Sequence, residues 1–176
     1  MKIRDALFTI GHSTRTIEEF INILKSYEIE QIVDIRTIPR SRHVPQFNRD
    51  TLQKSLRAAD IEYVHIPGFG GLRHPNKDSP NMGWHNSSFR GFADYMQTKE
   101  FGGNLKTVIE VSQNKRIALM CAEAVPWRCH RSLIADALNA RKIRVEHILS
   151  MTSHHPHTLT PFAKVDGPNI TYPPGS

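Results

Sequence analysis

Arg116-Ile-Ala-Leu-Met-Cys121, followed by Ala122-Glu-Ala-Val-Pro-Trp-Arg-Cys-His-Arg131, is the stretch on which the fold turns. Ile117 to Cys121 is an unbroken apolar run with no polar alternation, as expected of a strand buried on both faces in a parallel sheet. Pro126 interrupts any continuation. From Cys129 to Ala140 the pattern changes to helical spacing, with Leu133, Ile134, Ala137 and Leu138 on one face. Strand, polar turn and helix in that order make one half of a βαβ crossover.

The same alternation extends in both directions. Ala6–Ile10 reads as a strand ending in Gly11-His-Ser-Thr14, and Thr16 with Glu19 forms a capping box ahead of Ile17, Phe20, Ile21 and Leu24. Gln31–Arg36 and Glu62–Ile66 read as further strands, closed by Pro39 and by Pro67-Gly-Phe-Gly-Gly71. Helices are expected over 49–59, 89–97 and 105–113, and a last strand near Val145–Leu149. Leu72 to Arg90, rich in Asn, Pro, His, Ser and Gly, reads as a long surface loop. The expectation is an α/β class: a single Rossmann-like, three-layer domain over residues 1–150, with a mostly parallel sheet of about five strands. Residues 151–176 form a Pro/His-rich C-terminal tail packed on or near it. There His154-His-Pro-His157 reads as solvated, and Asn169–Pro173 as a further edge strand.

Composition bounds the class. The 176 residues are 39% hydrophobic and 23% charged, ordinary for one globular domain. No apolar run reaches membrane-spanning length, and Met1-Lys-Ile-Arg-Asp5 carries no signal-like apolar region. A cytoplasmic protein with no membrane partner is expected. Two cysteines eight positions apart do not make a disulfide framework. A formal charge of +6 favours acidic partners, namely a phosphate-bearing small molecule or nucleic acid.

In a parallel sheet the segments after each strand share one rim, where ligands of open α/β sheets bind. Four polar clusters fall there: Gly11-His12-Ser13, Asp34-Ile-Arg36 with Arg40 and Ser41, the glycine-rich Pro67–Gly71, and Cys121-Ala-Glu123 leading to Arg128-Cys129-His130-Arg131. A helix opening near Cys129 would favour anions through its dipole and lower a thiol's pKa, so Cys129 is a candidate thiolate and His130 its proton partner. Glu123 is the candidate acid–base carboxylate, with His12 as a second proton carrier. Arg36, Arg40, Arg128 and Arg131 are candidates to clamp an anion through guanidinium forks, aided by Gly11, Ser13 and Ser41. Each residue also has a structural role open to it: the cysteines as small core fillers, Glu123 in an ion pair with Arg131 or Arg36, and Asp34 as the support of Arg36. There is no Walker loop, no Gly-x-Gly-x-x-Gly fingerprint and no CxxC or HExxH spacing, so neither a cofactor nor a metal is expected.

At these residues the chain resembles the family catalogued as domain of unknown function 488. Thr9-Ile-Gly-His-Ser13, Asp34-Ile-Arg36 with Pro39 and Ser41, Pro67-Gly-Phe-Gly-Gly-Leu72, Cys121-Ala-Glu123 with Cys129-His-Arg131, and Ile170-Thr-Tyr-Pro173 carry the resemblance. Ala124-Val125 departs from the pattern. The resemblance implies a Rossmann-like sheet and a site built from these motifs. The leading functional expectation is a hydrolase or transferase acting on a phosphorylated or nucleotide-type substrate. Two alternatives stand beside it: a thiol-redox or sulfur-handling protein using Cys121 and Cys129, and a non-catalytic nucleic-acid-binding module.

Overall fold

The computed structural model describes residues 6–175, so the expectation drawn from Met1–Asp5 lies outside the described residues. Six strands form the main sheet: β1 (Ala6–Gly11), β2 (Gln31–Asp34), β3 (Glu62–His65), β4 (Ile117–Cys121), β5 (Arg144–Ile148) and β6 (His154–Pro156), in the spatial order β3-β2-β4-β1-β5-β6. The first five are parallel, and β6 joins the β5 edge antiparallel.

Five helices cover the sheet: α1 (Ile17–Ser26), α2 (Arg49–Ala58), α3 (Ser87–Tyr95), α4 (Lys99–Asn114) and α5 (Arg131–Ala140). Strand side chains alternate between the faces, so Phe8, Ile10, Ile32, Ala118 and Met120 pack with Phe20, Leu24, Leu52 and Leu56 of α1 and α2. Leu7, Val33, Ile117 and Leu119 face the other way, onto Phe92, Phe101, Leu105, Leu133 and Leu138 of α3, α4 and α5. The result is the expected three-layer Rossmann-like architecture.

The topology places the site. From β1 the chain crosses to β2 and then β3, with α1 and α2 on one face. It then returns to β4, inserted between β2 and β1, and crosses over β1 to β5 with α5 on the opposite face. Adjacent strands β1 and β4 therefore send their following segments to opposite faces. That divergence is the switch point at which an open α/β sheet leaves a crevice beyond its carboxyl ends.

Several boundaries differ from the sequence expectation for local reasons. β2 stops at Asp34 because its carboxylate accepts the Arg36 backbone N–H at 3.1 Å and bends the chain. α5 begins at Arg131 rather than Cys129, since Cys129 is extended (φ −129°, ψ 146°) at the end of a 3-10 turn over Pro126–Arg128. α4 starts at Lys99, six residues before the helix expected from Leu105. Thr98 caps it by accepting from the Phe101 N–H at 3.3 Å, and Gly102-Gly103 had masked the helical pattern.

The tail is more ordered than a solvated segment. Asn169–Thr171 (β8) does not extend the main sheet but pairs with Lys164–Asp166 (β7) in a separate ribbon, leaving the edge to β6. Tyr172 is fully buried and donates to Asp136 at 2.8 Å. His157, on the same carboxylate at 2.7 Å, keeps only 6% of its side chain exposed. The 72–90 segment is pinned too: Asp94 accepts from the Asn76 N–H, Ser79 Oγ and Asn81 Nδ2 at 2.6–2.8 Å. Among the described residues no helix is long and apolar enough to cross a membrane.

Candidate functional site

A cleft of about 660 Å³ opens at the β1/β4 switch point. His12 and Ser13 wall it from the end of β1, Arg36 to Ser41 from the end of β2, and Cys121 to Ala124 with Arg128 to His130 from the β4–α5 connection. The ladder between β1 and β4 continues past both strands, with the His12 N–H donating to the Cys121 carbonyl and the Ser13 N–H to that of Ala122. The two site-bearing segments are thus locked in register. Gly11, opposite Cys121, is required by close approach, since a Cβ there would lie 1.6 Å from the Glu123 carbonyl oxygen.

One corner is built on a paired arginine. Arg36 donates from Nε and Nη2 to the two oxygens of buried Asp34 at 2.9 and 2.7 Å, and from Nη2 to the Phe47 carbonyl at 2.7 Å. Tyr63 also donates to Asp34 at 2.6 Å. The remaining Nη1 lies 3.4 Å from His12 Nε2. His12 donates from Nδ1 to the Ser13 carbonyl at 2.8 Å, which leaves Nε2 as the lone pair facing Arg36. Its ring stacks on Phe47 with centroids 4.4 Å apart. Burial, reinforced by the Arg36 charge, lowers the His12 pKa to about 4, so the imidazole is neutral at pH 7.

The other corner is built on an arginine with no carboxylate. Arg131 is fully buried, and its Nη1 donates to Cys121 Sγ at 2.9 Å and to the Glu123 carbonyl at 2.8 Å. Nη2 donates to the Ala124 carbonyl at 3.1 Å, and Nε has no partner among the described residues. The guanidinium charge is therefore opposed only by dipoles and by whatever charge the sulfur carries. Both thiols are free and buried at this cleft, near enough for each to shift the other's ionisation. Burial works against ionisation of Cys121, but the Cys129 S–H and the Arg131 charge outweigh it and bring the pKa down to about 7. The neighbouring Cys121 and burial push Cys129 well up. The favoured thiolate is Cys121, the sulfur that the Arg131 guanidinium meets directly.

The other sequence candidates divide by accessibility. Arg131 and Gly11 lie beneath the cleft rather than in its wall. His130 is anchored by Nε2 donating to the Phe69 carbonyl at 2.7 Å, with Nδ1 3.5 Å from Cys129 Sγ, and burial lowers its pKa to about 4. Glu123 is exposed on the cleft wall and pairs with neither Arg36 nor Arg131; only its backbone carbonyl meets the latter. Ser41 is held by Asn48 and accepts the His43 N–H. Arg40 and Arg128 stand exposed at the mouth, with no partner for either guanidinium among the described residues. Of the four arginines expected on one anion, these two are free to take it.

The N-terminus of α5 does not offer the expected row of donors. The Arg131 N–H faces Cys129 Sγ at 3.4 Å, Ser132 N–H the Cys129 carbonyl, and Leu133 and Ile134 N–H the His130 carbonyl. Cys121, Cys129, His12 and His130 do not assemble as a ligand set, and the described residues contain no cluster of His, Cys, Asp and Glu suited to a metal ion. Phe47 and Tyr63, which support His12 and Asp34, carried no signal in the sequence, because a lone aromatic in a helix start or strand looks like core.

Residues 16–138 match the model of a family described as domain of unknown function DUF488. No curated protein matches the chain, and no solved structure does.

Proposed function

The chain belongs to the DUF488 family, and we propose that its cleft is the active site of a thiolate-centred transferase or hydrolase acting on a phosphate-bearing, nucleotide-type substrate. One observation carries this reading: a fully buried arginine with no carboxylate partner places Nη1 2.9 Å from Cys121 Sγ at the floor of the cleft. A buried charge left without a counter-ion is costly, and the cost is relieved when the sulfur is a thiolate. Arg40 and Arg128 at the mouth supply guanidinium forks for the substrate's anionic group.

The chemistry follows from the residues. The Cys121 sulfur attacks the electrophilic atom with its lone pair, the bond to the leaving group breaks, and the group is held on sulfur. The Cys129 thiol gives its proton to the leaving group; the exposed Glu123 carboxylate then takes one from the water or acceptor that releases the bound group, and that proton restores Cys129. His12 is neutral with its Nε2 lone pair turned to Arg36, so it serves as a hydrogen-bonding wall more readily than as a strong base.

Two free thiols lining the same cleft favour a second reading, a dithiol–disulfide couple. Trapping separates the two. In Cys129→Ser protein exposed to a panel of nucleotides and phosphate esters, intact-mass measurement should find an adduct on Cys121 and none in Cys121→Ser. Failure to form an adduct, with a reversible Cys121–Cys129 disulfide in the unmodified chain, would favour the redox reading instead.

A further inference from the structure

The 3-10 turn Pro126–Arg128 separates two cavities. Arg128 faces the cysteine cleft. Its neighbour Trp127 faces a second cavity of about 460 Å³, walled also by Trp84, Phe162 and His155. The chain has only two tryptophans, and both line this one cavity. They are held differently. Trp84 is fixed by edge contacts to Phe89, Phe162 and Tyr172, with centroids 4.8–5.5 Å apart. Trp127 has no ring partner among the described residues and is 65% exposed. A large exposed aromatic on a 3-10 turn, beside an unpaired arginine, is a stacking platform next to a phosphate contact.

Resting on the active-site reading above, we infer that the substrate is a single strand of nucleic acid crossing this turn. One base stacks on Trp127 in the second cavity, the adjoining phosphate meets Arg128, and the neighbouring nucleotide enters the cysteine cleft. Three features select this chemistry. Consecutive residues lie about 3.8 Å apart along the chain, so Trp127 and Arg128 diverge from one point much as a base and its phosphate do. The net charge of +6 supplies the long-range attraction. A cavity of this size admits one unstacked base, not a paired helix.

The test uses the full chain and an end-labelled oligothymidylate of about twelve nucleotides, a length within the usual range of single-strand sites. Anisotropy should show it binding far more tightly than inorganic phosphate. Trp127→Ala should weaken it about tenfold or more, and Trp127→Phe should restore most of the loss. Arg128→Ala should lower the slope of log affinity against log salt by about 0.7, the value for one phosphate contact on a single strand. Trp127→Ala should leave inorganic phosphate binding and the pH midpoint of Cys121 alkylation unchanged. Oligonucleotide affinity that is no better than that of phosphate, or that ignores Trp127→Ala, overturns the inference. If that occurs while the Cys121 midpoint stays near 7, the active-site reading survives; a midpoint near 9 removes that reading instead.

Discussion

Two arginines are buried at the carboxyl edge of this sheet, and they are held in opposite ways. Arg36 meets the Asp34 carboxylate through two nitrogens, and a carbonyl takes a further contact. Arg131, more deeply buried, meets two carbonyls and a thiol, with its Nε unpaired. The first pair is electrically closed and serves to position His12 and the β2 rim. The second is open, and its charge falls on Cys121. In a site of this kind the arginine lacking a carboxylate is the one whose charge can be used in chemistry.

The largest effect is expected at Asp34, the carboxylate that closes the Arg36 corner. Asp34→Ala leaves Arg36 buried without its counter-ion, and should cost about 3–5 kcal/mol in chemical denaturation. The same variant should leave the Cys121 thiol titrating near 7, because Asp34 does not touch the second corner. A midpoint that moved with Asp34 would show that the corners are not independent.

Acid should act on both corners alike. His12 beside Arg36 and His130 beside Cys129 are neutral in the folded chain with pKa values of about 4, and burial lowers His147 to about 3. Unfolded, each returns to 6.5. Between those values the unfolded chain binds protons that the folded one refuses, so stability is full above 6.5 and falls as pH drops toward 4. By pH 5 each histidine contributes a loss of up to about 2 kcal/mol, and denaturation midpoints measured from pH 7 to 4.5 should record the decline. A flat profile would mean that these imidazoles are solvated.

The smallest effect is expected at Glu123. Its side chain is exposed and pairs with neither arginine, so Glu123→Gln should change stability by no more than about 0.5 kcal/mol. Any loss in that variant should appear in turnover. A large destabilisation would mean that this carboxylate closes the Arg131 corner after all.

Much of the architecture was legible in the sequence. The apolar run Ile117–Cys121 and the alternating helices around it lead to a parallel sheet, and five strands fall within two residues of their expected positions. A parallel sheet forces the segments after its strands onto one rim, which is why His12, Arg36, Cys121 and Cys129 could be grouped without any geometry. The division of labour was not legible. That Arg36 is closed and Arg131 open depends on which carboxylate each guanidinium reaches, and residue type alone does not reveal it. The same holds for the cysteines. Helix-start position favours Cys129, but the 3-10 turn delays the helix to Arg131 and aims the guanidinium at Cys121. The tail misled for another reason: His157 looks like a solvated residue and Tyr172 like part of an edge strand until Asp136, far away in sequence, is placed beside them.

If an unopposed Arg131 keeps Cys121 as the thiolate, iodoacetamide alkylation of each cysteine followed against pH will show it. Peptide mass spectrometry would resolve the two sites in the wild-type chain and in Arg131→Met. Cys121 should react first with a midpoint of about 7 in the wild type, and the variant should shift that midpoint toward the ordinary value of 9.0. Prior reaction at Cys129, or a Cys121 midpoint near 9.0 that is the same with and without Arg131, would contradict it.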